Sequence, residues 1–238
     1  MKRYLVGAAI AAVLPATAHA APGMGSEVYG ATVEKGEVEI EARYGALDGD
    51  PEDGEDVLKI EAAYAPTEKL RLAVIGELEK EPHEDREFES VGLEAIYELG
   101  KVGPVAFAAY GEYEIVFDGP DKVETKLLMQ HKNGPLDLRL NLIAEKELAS
   151  GEDVELEYAA SADVETFGEI RLGVQAYGEL GSFKHFMPHA EHFIGPVAKF
   201  EIEGLGPELE IEAGYLFPVG EAADETDGQF RLVVGIEF

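Results

Sequence analysis

The stretch "KHFMPHAEHF" (184–193) gathers an unusual set of ligand-type side chains for this 238-residue chain. His185, His189 and His192 fall close together, with Met187 and Glu191 among them. Imidazoles with a thioether or a carboxylate suit copper or zinc, and a loop can fold three such groups around one ion. The same imidazoles would respond to pH near neutrality. The spacing matches no fixed metal signature, however, and Phe183, Phe186 and Phe193 suit a loop that folds into the mouth of a larger structure with His as filler. A second acidic stretch, "DGDPEDGED" (48–56), fails the EF-hand pattern: Asp53 stands where Gly is required, and Pro51 stiffens the loop. Weak divalent metal binding, bridging lipopolysaccharide phosphates, is the most that this acidic stretch supports, and no other cofactor is expected. Serine chemistry needs a nucleophile beside a His. Ser26, Ser90, Ser150, Ser161 and Ser182 lie in no nucleophile motif, and His83 with Glu84 and Asp85 is a pairing that chance supplies in so acidic a chain. No enzyme is expected.

The remaining chemistry is carboxylate at every second residue. "EVEIEARYGAL" (37–47) sets Glu39, Glu41 and Arg43 against Val38, Ile40, Ala42 and Tyr44. "LEIEAGYLF" (209–217) sets Glu210 and Glu212 against Leu209, Ile211, Ala213 and Tyr215. Glu112, Glu114, Arg139, Arg171 and Arg231 fall on the polar side of similar runs. A period of two places successive side chains on opposite faces of a strand. Twelve such strands are expected, at about 37–47, 57–66, 70–80, 88–99, 104–117, 122–132, 136–147, 153–166, 169–180, 193–203, 208–218 and 229–238. Most exceed the common globular strand length of about 5–6 residues. Residues 27–33 would supply a thirteenth, and are taken as part of a leader because closure then gives an even count.

The N-terminus has the parts of a secretory signal: Lys2 and Arg3, an apolar run from Tyr4 to Leu14, and the small-x-small site Ala18-His19-Ala20. Cleavage is expected after Ala20, leaving residues 21–36 as a periplasmic leader and 37–238 as one domain. The chain has no Cys, 49 acidic and 19 basic residues, and a formal net charge of −30. That charge repels nucleic acid and favours cations. At 46% hydrophobic residues the chain is too apolar to be an acidic disordered protein.

Connections between the strands alternate: short ones such as "NGP" (133–135) and "FG" (167–168), then mostly longer, acidic ones such as "EPHEDRE" (81–87) and "VGEAADETDG" (219–228). With the signal peptide, the long alternating strands and the last strand ending on Phe238, this chain resembles the bacterial outer-membrane β-barrel class over nearly its whole length after the signal. The resemblance implies a closed antiparallel transmembrane β-barrel of an all-β class in a Gram-negative outer membrane, with the short turns periplasmic. It also implies that Phe230, Leu232, Val234, Ile236 and Phe238 form the signal read by the barrel-assembly machinery. A secreted sandwich or lipocalin-like barrel would alternate equally well, but explains neither strand length nor loop asymmetry.

In such a barrel Glu39, Glu41, Arg43, Glu112, Glu114, Arg139, Arg171, Glu210, Glu212 and Arg231 line the lumen. Two arrangements are open to them. Excess carboxylates would keep a wet, narrow, cation-preferring porin-like passage for small cationic or neutral hydrophilic solutes. Interlocked Arg and Glu would instead close the lumen, leaving a structural or partner-binding barrel. The hydrated passage is expected, with outer-membrane lipid and lipopolysaccharide around it.

Overall fold

The computed structural model describes residues 21–187, 190–202 and 206–238; the expected signal peptide lies outside them. Twelve strands follow one another as β1 (Val38–Asp48), β2 (Asp56–Thr67), β3 (Leu70–Lys80), β4 (Glu87–Val102), β5 (Val105–Val116) and β6 (Lys122–Asn133), then β7 (Leu136–Glu147), β8 (Glu155–Phe167), β9 (Ile170–Ser182), β10 (Glu191–Ile202), β11 (Glu208–Gly220) and β12 (Gly228–Glu237). Each pairs antiparallel with its sequence neighbours, and β1 pairs with β12 to close the barrel. Closure satisfies the backbone groups that an open edge would leave bare in hydrocarbon. The seam continues past the last strand residue: the Val38 and Phe238 backbones exchange both hydrogen bonds, at 3.4 and 2.9 Å.

The pleat sorts the side chains as their alternation requires. Ile40, Ile60, Tyr64, Leu72, Val74, Leu93, Leu140 and Phe230 stand exposed on the outside, an apolar belt of the kind that lipid covers in membrane barrels. Tight turns join strands at the inner rim. Gly134 and Gly168 adopt φ of +58° and +59° there, a left-handed conformation that costs glycine nothing. Longer connections lie at the outer rim, where residues 221–224 form a single 3-10 turn.

Residues 21–36 depart from expectation. They form neither a strand of the wall nor a periplasmic leader, but run through the lumen from the inner rim to the outer one. At the inner end Gly36 N–H donates to Ala65 O at 2.9 Å. At the outer end Ala21, Met24 and Val28 are buried against Leu47, Val57, Tyr177, Phe193, Leu216 and Ala222. A second apolar cluster forms midway, where Tyr29 and Ala31 meet Ile96, Ala106, Ala108, Tyr110 and Leu128. The lumen is therefore largely filled rather than a continuous wet bore. The physical reason is that many inward positions are small or apolar, and a passing chain buries them.

Candidate functional site: the lumen

The wall holds the segment through polar side chains aimed at its backbone. Asn141, fully buried on β7, accepts from Tyr29 N–H at 2.8 Å and donates to Tyr29 O at 3.0 Å. It thus replaces the strand partner that Tyr29 lacks. Gln130 on β6 accepts from Ala31 N–H at 3.1 Å, and its amide donates to both Asp137 oxygens. Arg139 donates to Val28 O at 3.1 Å, and Gln229 to Pro22 O at 3.2 Å. Arg231 donates to Gly23 O and Ser26 O, and its guanidinium lies 4.4 Å from the centre of the Tyr177 ring. Backbone groups buried without partners are costly, so a segment bound at this density stays in place.

Tyr29 lies between the cavities, at the centre of a cluster of rings and charges. Its ring centroid lies 5.1 Å from that of Tyr110, and Lys126 Nζ sits 4.9 Å and 4.3 Å from the two rings. Its hydroxyl accepts from Arg43 and donates to Glu94, both at 2.9 Å. Arg43 also pairs with Glu41 at 2.7 Å and with Glu61, while Arg71 joins Glu94 at 2.8 Å and Glu39 at 2.6 Å. Phenol, two guanidiniums and four carboxylates thus make one septum across the barrel, alternating in charge so that each buried ion has a counter-ion.

On either side of this septum the lumen opens. The outer cavity holds about 530 Å³ and is lined by nine carboxylates, among them Glu114, Glu145, Glu155 and Glu157, against Lys59 and Lys122. The inner cavity holds about 200 Å³, with Glu27, Glu37, Glu39, Glu41, Glu210, Glu212 and Glu237 set against Arg71, Arg139 and Lys199. A smaller space of about 50 Å³ lies beside Tyr29, Tyr110 and Lys126.

All ten residues expected to line the lumen stand on inward-facing positions. Several are tied up. Lys199 meets Glu212 at 3.0 Å, and Arg171 pairs with Asp163. Unexpected from the sequence were Gln130, Asn141 and Gln229, neutral wall residues that hold the segment, and Tyr29 within it. Phe230, Leu232, Val234, Ile236 and Phe238 follow the outward face of β12.

The residues considered for metal do not converge. Glu191 and His192 are neighbours in β10 and so face opposite ways. His192 lies against Tyr158, ring centroids 5.8 Å apart. His185 lines the outer cavity, and Met187 is exposed with φ +50°. His189 lies outside the described residues. Among the described residues no group of three His, Asp or Glu side chains is placed to hold an ion.

No family model and no curated protein matches this sequence. Solved structures do match the fold. The chain is similar to the KdgM porin, at 11% identity and a TM-score of 0.56, covering 84% of this chain and 98% of that one. It is similar to the NanC porin over the same shares, at 9% identity and a TM-score of 0.58. The fold is a closed β-barrel of porin-like architecture. Another matching structure is the KdgM porin in complex with disordered oligogalacturonate, at 12% identity and a TM-score of 0.54. At such identities the likeness concerns the path of the wall. The lumen chemistry has to be taken from the residues themselves.

Proposed function

We propose that this barrel is a narrow, cation-preferring passage for small hydrophilic solutes, held shut at mid-lumen by residues 21–36. The observation that carries this reading is the outer cavity, where nine carboxylates face two lysines. Like charges confined between low-dielectric walls focus a field that concentrates cations and turns anions away. A carboxylate-bearing oligomer such as the oligogalacturonate of the KdgM complex would meet repulsion here. Passage requires the Tyr29 septum to shift, since the cavities above and below are separated there.

A second reading, a non-conducting barrel that stabilises the envelope, draws on the Arg43–Glu61–Arg71–Glu94 network that closes the septum. In both cases lipid and lipopolysaccharide cover the belt, and the barrel-assembly machinery reads the outward row of β12. Conductance in a planar bilayer under a salt gradient separates the two. Discrete steps with a cation-selective reversal potential, reduced in a Glu155→Gln, Glu157→Gln variant, are expected of the passage. Anion selectivity refutes it, and so does silence from a folded barrel lacking residues 21–34.

A further inference from the structure

The lumen segment has its N-terminal end in an unusual place. Ala21 sits at the outer mouth, the side away from the periplasm, with its methyl group buried in the apolar cluster there. Its backbone amide donates to the carboxylate of Glu55, in the connection between β1 and β2. Glu55 is only 7% exposed. The groups packed around it are mostly of its own sign: Glu52 in the same connection, Glu79 at the end of β3, and Glu81 just beyond. Glu225, between β11 and β12, faces Glu52 in turn. Of the cations nearby, Lys80 donates to Gly54 O at 2.6 Å and Arg86 pairs with Asp56. A buried carboxylate among carboxylates must either take up a proton or gain a cation, and a cation beside it would keep it ionised.

The sequence supplies that cation. Ala18-His19-Ala20 is a small-x-small site, and cutting after it turns the Ala21 amide into an α-ammonium. We propose that removal of the signal peptide after Ala20 creates an α-ammonium at Ala21 that pairs with Glu55 and latches the outer end of the lumen segment. The inference deepens the proposed function, naming what holds the closing segment, and rests on that reading only for its consequence. The segment is then fixed at both rims, by this ion pair above and by the Gly36–Ala65 hydrogen bond below. Processing thereby becomes part of the fold: a chain cut elsewhere places no ammonium at the Glu55 carboxylate.

Mass spectrometry of the mature protein comes first, followed by the pH dependence of α-amine acylation at limiting reagent. The wild type, Glu55→Gln and a variant with Ser-Gly inserted between Ala20 and Ala21 are compared as folded, heat-modifiable barrels in detergent. The wild-type chain is expected to begin at Ala21, with its amine titrating at least ~1 unit above the ordinary value of about 8. Both variants should return it to that value. The insertion leaves every wall residue in place, so it carries the test if Glu55→Gln fails to fold. A different mature N-terminus, an ordinary wild-type titration, or a raised value that survives both changes overturns the latch. Conductance does not enter this readout, so a silent barrel with a raised amine pKa would fail the passage and keep the latch.

Discussion

Replacing Asn141 with Ala tests how the segment is held. The Asn141 side chain makes the only strand-like pairing that Tyr29 has among the described residues, accepting from its N–H at 2.8 Å and donating to its C=O at 3.0 Å. Asn141 is fully buried. Truncation removes both bonds and leaves two backbone groups without partners, at about 1–3 kcal/mol each. The closed arrangement should weaken by about 2–6 kcal/mol, because a segment released into water regains partners for both groups while the closed one does not. Even the lower figure multiplies the released population roughly 30-fold. Hydrogen exchange at the amides of residues 28–33 reads that population directly. Their protection should fall by at least that factor in Asn141→Ala, while amides of the β11–β12 pairing stay as protected as in the wild type. Bilayer recordings should show a matching rise in open time. Unchanged protection at Tyr29 would refute the argument that wall amides, not the surrounding packing, hold the segment. A uniform loss across the wall would show that Asn141 supports the barrel rather than the segment.

Gly45 on β1 approaches the segment so closely that an added Cβ would lie 2.9 Å from Gly25 N and 3.1 Å from Met24 Cα. Gly45→Val should therefore expel the segment and expose Glu27 to a Glu-specific protease that spares it in the wild type. Val74 is half exposed on the belt, and Val74→Arg should destabilise the barrel by about 2–4 kcal/mol if it lies near the bilayer midplane, measured by urea unfolding in lipid vesicles. Deleting Phe238 should leave refolding in detergent intact but slow assembly by purified machinery; equal assembly rates would remove that role from the terminal aromatic. When the chain continues ahead of Ala21, burial, then Glu52, Glu81 and Glu79, push Glu55 up to about 8 from its ordinary 4.5. The raised carboxyl favours the folded state below pH 4.5 and loses that contribution as pH climbs to 8. The Ser-Gly insertion variant should lose thermal stability across that window. The cleaved wild type, with its ammonium in place, should hold until the pH passes its own raised amine value, and identical profiles would count against the pairing.

The wall was legible because lipid and lumen impose opposite chemistry on alternate residues. Ile40 beside Glu41, or Ile211 beside Glu212, leaves no choice of face once one side must be apolar. The segment in the lumen was not legible from its own residues. "APGMGSEVYGATVEKG" (21–36) offers at most the short strand-like run 27–33, because it pairs with side chains rather than with a neighbouring strand. A signal existed elsewhere. Ala63, Ala65, Ala73, Ala106 and Ala108 are inward-facing and buried, on a face that otherwise carries charge. Small residues opposite a water-filled bore serve no purpose, whereas beside a passing chain they make room for it.

The same partition explains why an acidic lumen can hold a segment at all. A backbone presents N–H and C=O groups together, and carboxylates can satisfy only the first. Where the wall meets the segment it offers Asn141, Gln229, Arg139 and Arg231, which donate to its carbonyls, and Gln130, which accepts from Ala31 N–H. Where the wall faces the outer cavity it offers Glu145, Glu155 and Glu157. Glutamate would leave the carbonyls of Val28 and Tyr29 unpaired, and amides in the cavity would generate no cation-attracting field. The carboxylates of the outer cavity are thus distinct from the groups that bind the segment, and the selectivity proposed for the passage and the closure of that passage are properties of different residues. Changes at Glu155 and Glu157 should alter which ions pass without altering how often the barrel opens. Changes at Asn141 should do the reverse.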